Sequence, residues 1–80
     1  MRSIVFTPTA IRRWTKLSPA VRARLRKRLE TFAATGQGDV KALKGRTGMR
    51  LRVGDWRVIF YVDGDTIVVV AAGHRRDIYD

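Results

Sequence analysis

Eighty residues with no cysteine allow one domain, residues 1–80, with a small core, and they exclude disulfide staples and thiolate metal sites. The 17 Lys and Arg against 7 Asp and Glu give a formal charge of +10, which favours polyanionic partners, nucleic acid foremost. Membrane contact is not expected, because the apolar residues are spent on amphipathic elements and the apolar run at 1–6 meets Pro8 too soon for a signal peptide or a span; the expectation is a soluble, cytoplasmic protein.

In chain order, Arg2 to Phe6 is rich in Ile, Val and Phe and reads as a strand. Thr7-Pro8 then supplies an N-cap and a first helical residue, and Ile11, Trp14 and Leu17 recur at three-residue spacing. Ser18-Pro19 repeats the start signal. Val21, Leu25, Leu29 and Phe32 continue an apolar stripe along a second helix that ends near Gly36, so the two helices form a hairpin laid across a sheet. The second helix carries Arg22, Arg24, Arg26, Lys27 and Arg28 on its solvent side, where like charges at i,i+4 repel. Residues 36–48 turn to Gly, Lys, Asp and Thr and read as a connecting loop.

Beyond it the period becomes two. Met49, Leu51 and Val53 alternate with Arg50 and Arg52, and Trp56, Val58, Phe60 and Val62 alternate with Arg57, Ile59, Tyr61 and Asp63. Thr66 to Ala72 is almost wholly apolar, as in a strand buried on both faces. Gly54-Asp55 and Gly64-Asp65 have the chemistry of two-residue hairpin turns. The fold class is therefore α+β: an N-terminal strand, a two-helix hairpin and a three-stranded antiparallel meander, with the helices on one face of the sheet.

The turns predict a register. Val53 opposite Trp56 pairs Arg52 with Arg57 and Arg50 with Ile59, so three guanidinium groups share the face away from the helices. Like charges directly across a ladder are destabilising, and an anion belongs between them. The second turn sets Asp63 against Thr66, Tyr61 against Val68, Ile59 against Val70 and Arg57 against small Ala72. The last strand then delivers His74, Arg75 and Tyr79 to the arginine end, giving a candidate constellation of Arg50, Arg52, Arg57, His74, Arg75 and Tyr79. Guanidinium forks suit phosphate, and fixed positive charge accelerates phosphodiester cleavage by stabilising the charge that builds on the phosphorane. Lys41, Lys44, Arg46 and Arg76 are the expected further nucleic-acid contacts. A solvated sheet face would carry the same arginine rows; Arg52 opposite Arg57 is what favours a site. Trp14 and Trp56 belong to the core, and the apolar Ile59, Val68 and Val70 beside the arginines call for a covering partner. A lone His74, a sole Glu30 and the lack of a glycine-rich phosphate loop give no basis for a metal centre or a cofactor.

The segments Leu43-Lys44-Gly45, Met49 to Phe60 and Gly73 to Tyr79 resemble the RelE branch of the RelE/ParE toxin superfamily, and the likeness covers nearly the whole chain. The resemblance implies a type II toxin that cuts mRNA on the ribosome, inhibits translation and is neutralised by a RelB-like antitoxin. It also implies roles: Arg50 and Arg52 hold phosphate and assist proton transfer, Arg57 and Arg75 stabilise the scissile phosphate, Tyr79 orients or stacks on substrate, and His74 fills a slot proposed for acid or base. The best-known member carries lysines where Arg50 and Arg52 stand, and no helix is expected after Tyr79. Two other outcomes are consistent with the same outline, a ParE-like inhibitor of DNA gyrase without enzymatic activity and a catalytically inactive basic RNA-binding module.

Overall fold

The computed structural model describes residues 2–78. Strand β1 (Ser3–Phe6) leads into helix α1 (Pro8–Thr15), where the Thr7 hydroxyl accepts from the Ala10 N–H at 3.2 Å and Pro8 opens the first turn. Helix α2 (Pro19–Thr35) starts in the same way, with Ser18 accepting from the Val21 N–H at 3.3 Å. It stops at Gly36, whose φ of 76° a side chain would resist and whose N–H closes on the Phe32 carbonyl at 2.8 Å. The expected helical hairpin is present. Arg22 holds its joint, donating to the carbonyls of Leu17 at 2.6 Å and Thr15 at 3.2 Å.

The remaining strands are β2 (Val40–Ala42), β3 (Met49–Val53), β4 (Trp56–Asp63) and β5 (Thr66–His74), followed by a single helical turn, α3 (Arg75–Ile78). They form one five-stranded sheet in the order β1-β5-β4-β3-β2, with β1 parallel to β5 and the other neighbours antiparallel. The expected meander is β3-β4-β5. Two features depart from expectation. The segment read as a plain loop contains β2, which pairs Val40 with Leu51 and Lys41 with Arg50, and the residues after β5 coil into α3. A three-residue edge strand carrying a lysine has too little pattern to read, yet it satisfies the backbone of β3, whose Arg52 N–H also donates to the Asp39 carbonyl at 2.9 Å.

Both helices cover one face. Ala10 and Trp14 from α1 and Leu25, Leu29, Phe32 and Ala33 from α2 meet Leu51, Val53, Val58, Phe60, Ile67, Val69 and Ala72 from the sheet in one core. Trp56 is half-buried against it, as expected of a core residue. Ile11 is a correction: it lies outside the stripe and is 42% exposed, because Ala10 and Trp14, four apart, are the α1 residues that turn inward. Aromatic contacts tie the layers, Phe6 to Trp14 at 4.9 Å and Phe32 to Phe60 at 5.3 Å between ring centroids.

The packing orders two substitutions. Leu25→Ala, at a side chain with no exposure, should cost about 2–5 kcal/mol of stability, whereas Ile11→Ala should stay within about 0.5 kcal/mol. Urea denaturation midpoints measure both, and the reverse order would mean that the other face of α1 packs inward.

Candidate nucleic-acid interface

The β3–β4 ladder has the predicted register. Val53 lies opposite Trp56, Arg52 opposite Arg57 and Arg50 opposite Ile59. The turn between them starts with Gly54 at φ 60° while Asp55 keeps a negative φ, the signature of a type II′ hairpin. Alternation therefore turns Leu51, Val53, Trp56 and Val58 toward the helices and sets Lys41, Arg50, Arg52 and Arg57 on the outer face across three neighbouring strands.

The β4–β5 ladder departs from the predicted register halfway along. Asp63 pairs with Thr66 and Tyr61 with Val68 as expected, but the register shifts between Ile59 and Phe60, so that Phe60 faces Val69 while Ile59 faces Ala71. Val70 is the extra residue of a β-bulge. Ile59 thus meets Ala71 rather than Val70, and Arg57 meets Gly73 rather than Ala72. A small residue still stands opposite Arg57, and the space above Gly73 is open. The bulge reverses which residues of β5 point outward: Ala72 is buried in the helix-side core, and His74 falls in line with Trp56. Its ring meets the Trp56 indole edge-on at 5.3 Å, in a hollow shared with Arg13, Lys16 and Leu17 of the α1 region. His74 is therefore not brought to the arginine face. Its Nδ1 accepts from the Arg76 N–H at 3.2 Å, which leaves the ring proton on Nε2.

Both residues of the hairpin turn are gripped by arginines. Arg57 donates from Nη1 to the carbonyls of Gly54 at 2.7 Å and Trp56 at 2.9 Å, leaving its Nε and Nη2 donors for another partner. Arg75 donates its backbone N–H to the Asp55 carbonyl at 2.8 Å and sets its Nε 3.5 Å from the Asp55 carboxylate. Arg52 has Asp39 at 3.7 Å. In both ion pairs each side chain is more than half exposed, so solvent screens them and a phosphate can compete with the carboxylates. The grouping of Arg57 with Arg75 thus runs through the turn. Arg76 is exposed on α3, and Tyr79 lies outside the described residues.

Three of the cations expected to contact nucleic acid, Lys41, Lys44 and Arg46, lie together. With Arg50 they line a groove of about 550 Å3 beside β2, together with Ala42 and Leu43, and among the described residues no carboxylate lines it. Two side chains not singled out from the sequence, Tyr61 and Arg13, line the adjoining hollow. Tyr61 shares the outward alternation of Arg57, which was a usable signal; Arg13 had none, because only the lie of α1 beside β5 brings it there. Of the apolar residues expected on this face, Ile59 is buried outside the main core, near Ile78 of α3, and Val68 and Val70 are half-buried. Among the described residues no three His, Cys, Asp or Glu side chains gather as a metal site requires, and no helix is long and apolar enough to cross a membrane.

Residues 4–79 match the family described as the ParE toxin of type II toxin-antitoxin systems, parDE. The chain belongs to that family. Among curated proteins this toxin is similar to Toxin RelE3 of Methanocaldococcus jannaschii, 44% identical over 43 residues, which are 52% of this chain and 49% of that one. The toxin thus spans about half the length of the curated relative it matches. Its fold is similar to a chain of the RelB-RelE antitoxin-toxin complex from Methanococcus jannaschii, with a TM-score of 0.77, 28% identity and 95% of both chains covered. It is also similar to a chain of the RelBE2 toxin-antitoxin complex from Mycobacterium tuberculosis, with a TM-score of 0.79, 24% identity and coverage of 92% and 98%. The family match and these RelE relatives together place the toxin within the RelE/ParE superfamily.

The bulge makes a spectroscopic prediction. At pH 8 the toxin's His74 should give imidazole nitrogen shifts of a ring protonated at Nε2 and bare at Nδ1; the opposite tautomer would be incompatible with its bond to the Arg76 N–H.

Proposed function

We propose that this toxin is a metal-independent endoribonuclease that cuts mRNA on the ribosome and so inhibits translation. The observation that carries the reading is Arg52 directly opposite Arg57, with Arg50 and Lys41 in the adjacent outward row. Folding alone disfavours that pairing, and a phosphate between the two forks relieves it.

In the reaction, the RNA 2′-oxygen attacks the adjacent phosphorus and the bond to the 5′-oxygen breaks, leaving a cyclic phosphate and a 5′-hydroxyl. One proton leaves the nucleophile and one reaches the leaving oxygen. Arg50, Arg52, Arg57 and Arg75 stabilise the negative charge that builds on the phosphorane, while Lys41, Lys44, Arg46 and Arg76 hold the flanking backbone. Guanidinium groups hold charge well and move protons poorly, so the proton steps fall to Tyr79 or to groups the ribosome supplies. His74 packs against Trp56 and acts at most by supporting the strand that carries Arg75. One histidine, one glutamate and no cysteine make a protein-held catalytic metal a poor fit. A RelB-like antitoxin would silence the toxin by laying carboxylates over the arginine row and apolar side chains over Val5, 45% exposed on the same outer face.

A second reading has its own support. The matched family is described by ParE, and His74 is turned from the arginines, which suits a surface that binds without cutting, as in a DNA gyrase inhibitor or an inactive RNA-binding module.

The two readings separate in one pair of assays. Under the nuclease reading, in vitro translation followed by primer extension should detect cut messages with the unaltered toxin, and Arg57→Ala and Arg52→Ala should each lower cutting by about 10²-fold. Equal cutting by all three proteins would remove this site. Loss of gyrase supercoiling without cut messages would install the inhibitor reading instead.

A further inference from the structure

The outer face holds a second hollow whose aromatic and apolar lining phosphate binding does not use. It joins the basic groove at Leu43 and Arg46 and has a volume of about 370 Å3. Ile59, Tyr61 and Val70 form its floor, and Arg13 of α1 and Arg46 of the β2–β3 loop also line it. Among the described residues no carboxylate lines it and neither arginine has an ion pair. Tyr61 is 41% exposed, a bare aromatic ring between inward-facing Phe60, which is buried, and Val62, which is half-buried.

Its place relative to the arginines is set by the strand. Outward positions on β4 run Arg57, Ile59, Tyr61, so Tyr61 lies about 14 Å along the strand from Arg57 at roughly 3.4 Å per residue. The β5 bulge at Val70 falls beside this point and contributes to the floor. An exposed ring over an apolar floor selects a flat aromatic group, and two guanidinium rims without a carboxylate select an anionic chain. Single-stranded nucleic acid has both properties in every repeat, whereas a duplex keeps its bases stacked inside.

We propose that this hollow is a base subsite, in which Tyr61 stacks on one unpaired base of an RNA strand while Arg13 and Arg46 take the flanking phosphates. The inference rests on the RNA reading above and extends it, giving Tyr61 and Arg13 a part in positioning the strand over the arginine row.

The test uses the full chain and a short single-stranded RNA made uncleavable by 2′-O-methylation, with binding followed by fluorescence anisotropy at low salt. Tyr61→Ala should bind about tenfold more weakly, with Tyr61→Phe close to the unaltered protein. Scanning one abasic nucleotide along the strand should find a position whose loss weakens the unaltered protein by a similar factor and adds nothing to Tyr61→Ala. Arg13→Ala should weaken binding and lower its salt dependence by about one counterion. Unchanged affinity in Tyr61→Ala, or an abasic penalty equal in both proteins, overturns the subsite. If Arg57→Ala still weakens binding in that case, the RNA reading survives it; if Arg57→Ala has no effect either, both fall. No measurable binding by the unaltered chain also overturns the subsite as stated. Loss of antitoxin association in Tyr61→Ala with RNA affinity intact makes the hollow a protein-docking patch and overturns it too.

Discussion

A turn of two residues fixes the whole outer face. With only Gly54 and Asp55 between β3 and β4, Val53 must oppose Trp56, and every later pair on the ladder follows, including Arg52 against Arg57. One more residue that the turn did not absorb would flip one strand against the other, so that Arg57 would face the core while Leu51 still did. Register is thus enforced from both sides: burying the apolar set on the helix side compels the cationic set to gather on the other. The repulsion across the ladder is the cost of that arrangement, and Arg57 meets part of it by folding its Nη1 onto the carbonyls of its own turn.

The other cations divide by what the fold asks of them. Arg22 ties the joint between the helices, Arg26 lies 6.0 Å above the rings of both Phe6 and Trp14, and Arg2 sits 5.8 Å from the Phe32 ring. These side chains cover apolar edges with their stems and meet aromatic faces with their charge. Sequence alone gave the crowded α2 arginines a common appearance, but Arg22 and Arg26 are used within the fold, whereas Arg24, Lys27 and Arg28 border a separate hollow. Total charge is therefore a poor guide to binding; which cations the fold gathers on one face is the informative observation.

What could be read in advance was whatever is decided locally. The caps at Thr7 and Ser18, the stop at Gly36, both glycine turns and the β3–β4 register rest on interactions within a few residues, and each is present. The bulge was illegible for a physical reason: in the run Ile67 to Val70 every residue suits a strand equally well, so nothing marks Val70 as the one left unpaired. That single residue decides His74. It moves the only histidine from the expected arginine side to the Trp56 side, and with it the most natural proton carrier. Strand β2 escaped notice because its stability comes from the backbone of β3 rather than from its own side chains, and Tyr79 lies outside the described residues.

A chain carrying a formal charge of +10 on eighty residues repels itself when compact, and anything polyanionic that binds only the folded state stabilises it by mass action. An RNA strand and an acidic antitoxin segment would draw on the same arginine row, because Arg52 and Arg57 cannot give their remaining donors to a phosphate and to a carboxylate at once. Exclusion of one by the other then needs no conformational change, only a shared set of donors. Selectivity has to come from what lies beside those donors: an exposed tyrosine ring rewards a base, and the bare Val5 on β1 rewards an apolar side chain. The bulge at Val70 borders the tyrosine's hollow, so the residue that removes His74 from the arginine face also helps shape the part of that face able to tell one polyanion from another.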